Sequence, residues 1–257
     1  MVQVKSDNEC KKPRWYVNIF DEMGADWEAI VDMRDTDREA SFIEEVIPRK
    51  GTILDLCCGT GRHSIILCRN DRSVVGMDLS KNLLAIAKKR MKESEVKLPL
   101  VRADMRCFPF RDGVFSGIIN MFTSFGYLPS ELEDVKSLSE VKRTLTKNGR
   151  FLLDLANRDH VLMSFRERDW AEFEPYYMLE RRSFDLKDSK LISQWTLIRK
   201  NDGETISIRH EVRMYTLTRM EQLCKEAGLM IERVYGGYEK QEFGLDTSRM
   251  ILLAARS

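Results

Sequence analysis

Long apolar runs, histidines and any imbalance of charge are scarce in this sequence, and each scarcity removes a class of function. No apolar run approaches the roughly 20 residues that a membrane-spanning helix needs. The opening stretch, MVQVKSDNECKKPRWY, carries no apolar segment of the kind secretory signals use, so none is expected. With 3 histidines and no C-x-x-C pair, zinc-type spacing is missing, although Cys57, Cys58 and His63 lie close together. No metal is therefore expected. The 6 cysteines are scattered, and adjacent Cys57 and Cys58 are poorly placed for a mutual disulfide. They read as reduced, buried thiols of a cytoplasmic protein. With 42 Lys+Arg against 41 Asp+Glu the net charge is +1, which gives no general attraction to phosphate backbones or anionic lipid. Neither a nucleic-acid nor a membrane partner is expected.

What is present is an ordinary globular mixture, 43% hydrophobic and 32% charged over 257 residues, enough for one large α/β domain with an insertion. Residues 1–35 scatter Trp15, Tyr16, Phe20 and Trp27 among polar side chains, the pattern of an arm or lid that packs on a neighbouring surface. Thr36-Asp37-Arg38-Glu39 reads as a capping box ahead of Ile43, Val46 and Ile47 at helical spacing, and Pro48 ends that helix. Strand-like runs at 52–56, 73–77, 100–103, 115–121 and 150–155 then alternate with helical ones. Ser80 caps one helix; Ser130 and Glu133 open a longer one that Gly149 is expected to stop. Such alternation requires a parallel sheet with helices on both faces.

The rhythm breaks between residues 177 and 215, where three strand-like runs are separated by Lys187-Asp188-Ser189 and Asn201-Asp202-Gly203. Short turns make adjacent strands antiparallel, so an inserted sheet is expected there. Thr218 and Glu221 open another helix, which ends at Gly228, and residues 229–235 and 250–255 close the chain as strands. The expected organisation is an arm over 1–35, a core formed by 36–157 and 213–257, and an inserted antiparallel subdomain over 158–212. The exposed strands of the insert offer a contact for a homodimer.

Function is concentrated in Ile53-Leu54-Asp55-Leu56-Cys57-Cys58-Gly59-Thr60-Gly61. A strand ends, glycines turn the backbone, and a helix starts with bare N–H groups facing a ligand. A dinucleotide fingerprint would need glycine where Ser64 stands, and a phosphate loop would need G-K-[ST] where the chain has Gly61-Arg62-His63. Asp78 ends the second strand, where a carboxylate can take both ribose hydroxyls. Asp104 and Met105 end the third, where they can hold an adenine, and Asn120-Met121 ends the fourth. These positions share one edge of a parallel sheet, where ligands of open α/β folds bind.

Asp55-Leu56-Cys57-Cys58-Gly59-Thr60-Gly61, Gly76-Met77-Asp78-Leu79-Ser80, Ala103-Asp104-Met105 and Asn148-Gly149-Arg150 resemble the successive motifs of class I S-adenosylmethionine-dependent methyltransferases. The segment Met121-Phe122-Thr123-Ser124-Phe125-Gly126-Tyr127-Leu128 is similar to the one after strand four in small-molecule members, including those that dimethylate amino sugars. The resemblance implies a doubly wound, Rossmann-like, mostly parallel sheet of seven strands with a C-terminal antiparallel hairpin and an antiparallel insert after strand five. It implies S-adenosyl-L-methionine as donor and S-adenosyl-L-homocysteine as product. Gly59 and Gly61, with Asp55, would line the methionine end. Asp78 and Leu79 would hold the ribose, Asp104 and Met105 the adenine, and Met121 and Tyr16 would complete the cofactor site. The family's usual first loop glycine is Cys57 here.

Duller roles compete at each position: Asp78 as a helix cap, Phe122, Phe125 and Tyr127 as core, His160 as a solvated loop residue. The joint occurrence at four strand ends favours the cofactor. The expected acceptor site lies among the arm, the Phe122–Tyr127 segment with Phe125 and Tyr127 as its candidate contacts, the Asn157-Arg158-Asp159-His160 loop and the insert. Tyr127 and His160 are the candidate catalytic groups, and a dedicated base is not required. The expected reaction is in-line methyl transfer to nitrogen or oxygen of a small molecule. The rival readings are an RNA or protein methyltransferase, an NAD-binding oxidoreductase and a cofactor-binding module without catalysis.

Overall fold

A computed structural model of the chain describes residues 15–24, 26–27 and 35–257, the side chains of residues 15–18 excepted. Among them, no helix is long and apolar enough to cross a membrane. Strands β1 (Thr52–Leu56), β2 (Ser73–Asp78), β3 (Leu100–Arg102), β4 (Phe115–Asn120), β5 (Leu145–Ala156), β10 (Leu229–Tyr235) and β11 (Arg249–Arg256) form one sheet in the order β10-β11-β5-β4-β1-β2-β3. β1 to β5 are parallel; β11 runs antiparallel to β5 and β10 antiparallel to β11. The chain is therefore doubly wound, with its topological switch between β1 and β4, where a ligand crevice is expected.

Helices α2 (Thr36–Val46), α3 (Arg62–Arg69), α4 (Lys81–Glu93), α5 (Glu131–Thr144) and α7 (Leu217–Glu226) cover the sheet. Apolar strand residues point to both faces, so the core is two clusters, one around Leu54, Ile118 and Phe151, the other around Ile43, Ile53 and Ile119. Helix α6 (Arg158–Met163) leads from β5 into a second sheet of β6 (Arg168–Phe173), β7 (Tyr176–Asp185), β8 (Lys190–Arg199) and β9 (Thr205–Arg213), antiparallel throughout. Its inner residues Tyr176, Leu197 and Ile208 pack against Met23 of α1 (Trp15–Met23), which seats the arm on the insert.

Four local expectations need correction. α5 ends at Thr144, not at Gly149, because Leu145 already pairs with Phe115 as β5 begins. Gly149 instead permits a close approach, since a Cβ there would lie 3.0 Å from the Phe115 carbonyl oxygen. Thr36 is inside α2, and its hydroxyl accepts from Arg62 at 2.9 Å rather than capping the helix. α7 is capped by Thr216, whose side chain accepts from the Arg219 amide, and not by Thr218. The insert has four strands rather than three: β6 pairs with β7 along its whole length, and its charged Arg168, Asp169 and Glu172 hide it from a search for apolar alternation.

Candidate active site

The loop after β1 is built on left-handed backbone: Cys57, Gly59 and Gly61 have φ of 61°, 55° and 77°. Glycine adopts this at no steric cost, whereas Cys57 does so at about 1–2 kcal/mol. The geometry characteristic of a glycine is thus kept where the glycine is absent. Gly61 begins α3 and lets it approach α4, where an added Cβ would lie 3.3 Å from the Ala87 Cβ. Gly61 acts behind the cleft, not on its wall. Gly59 differs: a Cβ there would meet only Leu83 Cδ1, at 4.0 Å.

Two carboxylates fasten this loop. Buried Asp55 on β1 accepts the Ser64 hydroxyl of α3 at 2.6 Å. Asp78, at the end of β2, accepts the Gly59 amide at 2.9 Å on Oδ2 and the Ser80 amide at 2.8 Å on Oδ1. Burial raises both carboxyls above the usual range. The third strand end carries Asp104, gripped by Arg106 through Nε at 2.9 Å and Nη2 at 2.8 Å.

A single cleft joins these strand ends, enclosing about 1180 Å³ with its open mouth. Asp55, Gly59, Asp78, Leu79, Asp104, Met105, Met121 and Tyr127 all line it. Arg62 and His63, the first residues of α3, line it too, both paired to buried Glu39 of α2, with His63 Nε2 at 2.6 Å. These partners hold the Glu39 carboxyl down to about 2 against its burial.

The other side is aromatic. Phe20 and Trp27 of the arm line the cleft with Tyr127. Phe20 meets the Trp27 ring at 4.9 Å and the Tyr127 ring at 5.6 Å, both edge to face. Trp27 stacks on Trp195 of β8 at 5.9 Å, which ties arm and insert together. The arm is also latched to α4, where Asp21 Oδ1 accepts the Ser80 hydroxyl and the Asp21 carbonyl accepts the Asn82 amide nitrogen. Burial pushes the Tyr127 phenol up to about 12, so it stays protonated near neutrality. Phe122 and Thr123 line the same wall in left-handed conformations, φ 58° and 59°, each costing about 1–3 kcal/mol.

Other expected site residues lie elsewhere. Phe125 is buried against Tyr215, ring to ring at 5.8 Å. Asn157 caps α6 and donates to the carbonyls of Gly244 and Thr247 at 2.8 and 2.7 Å. Arg158 donates to the Ser189 hydroxyl at 2.9 Å and lies over Phe184. His160 Nδ1 meets the Leu245 carbonyl at 3.0 Å at an exposed position. None of these four lines the cleft, and the Tyr16 side chain is outside the described residues. Arg62 and His63 were not assigned to the site from sequence, although they are the first side chains after the glycine turn; Phe122 and Thr123 fall in the segment expected beside the acceptor, but their left-handed backbone has no sequence signature without glycine.

Residues 53–149, from β1 to the start of β5, match the methyltransferase domain family. The chain is an S-adenosylmethionine-dependent methyltransferase. It is 27% identical over 224 residues to the YqeM protein of Bacillus subtilis, named as a methyltransferase without a stated acceptor, covering 86% of this chain and 90% of that one. It is 26% identical over 194 residues to a dTDP-3-amino-3,4,6-trideoxy-alpha-D-glucopyranose N,N-dimethyltransferase of Streptomyces venezuelae, covering 73% and 68%. A solved S-adenosylmethionine-dependent methyltransferase of Clostridium acetobutylicum superposes with a TM-score of 0.78 at 19% identity, over 94% of this chain and 98% of the other. The methyltransferase's cleft fits the donor chemically. Gly59 leaves a cradle that a side chain would fill, and the carboxylates of Asp55, Asp78 and Asp104 suit a cationic ligand.

Proposed function

We propose that this methyltransferase transfers a methyl group to the nitrogen of a small-molecule amine by in-line displacement. The observation that carries this reading is the single cleft in which the cofactor strand ends face an aromatic wall under the arm. A cleft flanked by the rings of Phe20, Trp27, Phe122 and Tyr127 suits a small acceptor. The likeness to a sugar N,N-dimethyltransferase supports nitrogen over oxygen.

S-adenosylmethionine, when bound, supplies an electrophilic methyl group and a neutral thioether leaving group. Asp78 and Leu79 would hold its ribose, Asp104 and Met105 its adenine, and Asp55, Gly59 and Arg62 would face its methionine end. Phe20, Trp27, Phe122 and Tyr127 exclude water and align the acceptor, which is the main contribution a protein makes to such a displacement. A primary or secondary amine must arrive unprotonated. The protonated Tyr127 hydroxyl orients it by accepting an N–H with its oxygen, and the lone pair stays free for attack. The released proton leaves through water at the cleft mouth, so no strong base is required.

The test is transfer of radiolabel from methyl-labelled S-adenosylmethionine to a panel of glycine, sarcosine, spermidine and nucleoside-diphosphate amino sugars, with ribosomal RNA and total protein as further acceptors. Label in an amine supports the proposal. Label only in RNA or protein overturns it.

A further inference from the structure

Phe122 and Thr123 keep left-handed backbone although neither is glycine, and both face the cleft. Such conformations persist only where the surroundings over-determine them, and they gather at functional sites. Here the surroundings centre on one carboxylate. Asp154 of β5 is fully buried; its Oδ2 accepts the Phe122 amide at 2.8 Å, and its backbone carbonyl accepts the Thr123 amide at 2.9 Å. The same Oδ2 accepts the Tyr238 hydroxyl at 2.8 Å, while Oδ1 accepts Arg249 Nε at 2.8 Å. Thr123 Oγ1 closes the ring of contacts, accepting the Ala156 amide at 2.9 Å and Arg249 Nη2 at 3.3 Å.

The Phe122 ring is pinned as well. Arg249 lies over it at 5.4 Å from the centroid and Arg62 at 5.5 Å, the latter anchored by Glu39. A buried ion pair seldom stabilises a protein more than apolar residues of equal volume. What the Asp154–Arg249 pair adds is geometry, since a carboxylate alone can take a turn amide, a hydroxyl and a guanidinium together.

We propose that Asp154, with Arg249 and Tyr238, is the positioning unit of the acceptor wall, fixing the Phe122–Thr123 turn so that the Phe122 ring holds the acceptor for transfer. This rests on the reading of that wall as the acceptor side. Asp154 touches neither substrate nor cofactor in this role and acts through Phe122.

The test uses the full-length chain with 4-fluorophenylalanine incorporated, the Phe122 signal being identified by its loss in Phe122→Leu. In Asp154→Asn the Phe122 fluorine signal should move or broaden. The kcat/KM for the fastest amine of the panel should fall about tenfold or more, as misplaced substrates do. S-adenosylhomocysteine affinity by calorimetry should stay unchanged. An unmoved fluorine signal overturns the proposal, as does an unchanged kcat/KM or an equal loss of S-adenosylhomocysteine affinity. If Asp154→Asn does not fold, Tyr238→Phe, which removes one bond to Oδ2, replaces it with the same readouts and a smaller expected loss. If no amine in the panel is methylated, the small-acceptor reading fails. The fluorine signal alone then decides whether Asp154 positions Phe122.

Discussion

The amide of Gly59 donates to Oδ2 of Asp78 at 2.9 Å, so the glycine loop after the first strand is fastened to the end of the second. The other oxygen of the same carboxylate holds Ser80, the cap of α4, whose hydroxyl meets Asp21 of the arm. One side chain thus links the loop, the helix after β2 and the lid.

Asp78→Ala should weaken S-adenosylhomocysteine binding more than tenfold. Two charge-assisted bonds to a ribose are worth about 1.5–3 kcal/mol each, and the loop loses an anchor as well. Titration calorimetry measures this, and an unchanged affinity would reduce Asp78 to a helix cap.

Gly59→Ala should fold with a loss of only about 1–2 kcal/mol, the cost of a left-handed alanine. Its Cβ has no close protein neighbour except Leu83 Cδ1 at 4.0 Å. Donor affinity should nonetheless collapse, because the methyl group occupies the cradle. A variant that unfolds, or that binds the donor normally, would contradict this placement.

Tyr127→Phe should lower kcat/KM for the amine by roughly three- to tenfold, the worth of one hydrogen bond. His160→Ala should leave the pH profile of kcat unmoved, since the imidazole meets the Leu245 carbonyl outside the cleft. Loss of a titrating limb in His160→Ala would restore it as a catalytic base.

Stability should depend on His210, which burial beside Trp195 holds down to about 4 from 6.5. Between those values the unfolded chain binds a proton that the folded chain refuses. Stability is therefore complete above pH 6.5 and falls as the pH drops through 4, by about 3 kcal/mol in all. Asp134, raised to about 7, acts oppositely and is present in both proteins compared. His210→Phe should lose less stability than the parent between pH 7 and 5 in urea unfolding. An equal acid loss in both would assign the effect elsewhere.

The strand-end half of the cleft was legible because it obeys local rules. A parallel strand must end before its helix begins, so Asp55, Asp78, Asp104 and Met121 fall on one sheet edge whatever the rest of the chain does. Ser80 and Ser130 announced their helices for the same reason, each accepting the amide three residues on. Locally ambiguous residues read less well. Phe125 and Tyr127 are two apart in one loop, yet one is core and the other faces the cleft. Asn157 reads as a polar loop residue, but it is spent on carbonyls 87 and 90 positions away.

By itself the sequence determined the layered sheet, which follows from period, turn and cap within a few tens of residues, and it carried the motifs whose family resemblance implied the donor. The tertiary structure decided the aromatic side of the cleft. Asp154 and Arg249 are 95 positions apart, and their pairing with a turn at Phe122 exists only once β5 and β11 lie side by side. The arm reaches Tyr127 and Trp195 only through contacts between three separate parts of the chain. Bonds within a segment are written in its local order; bonds between distant segments depend on where folding brings them.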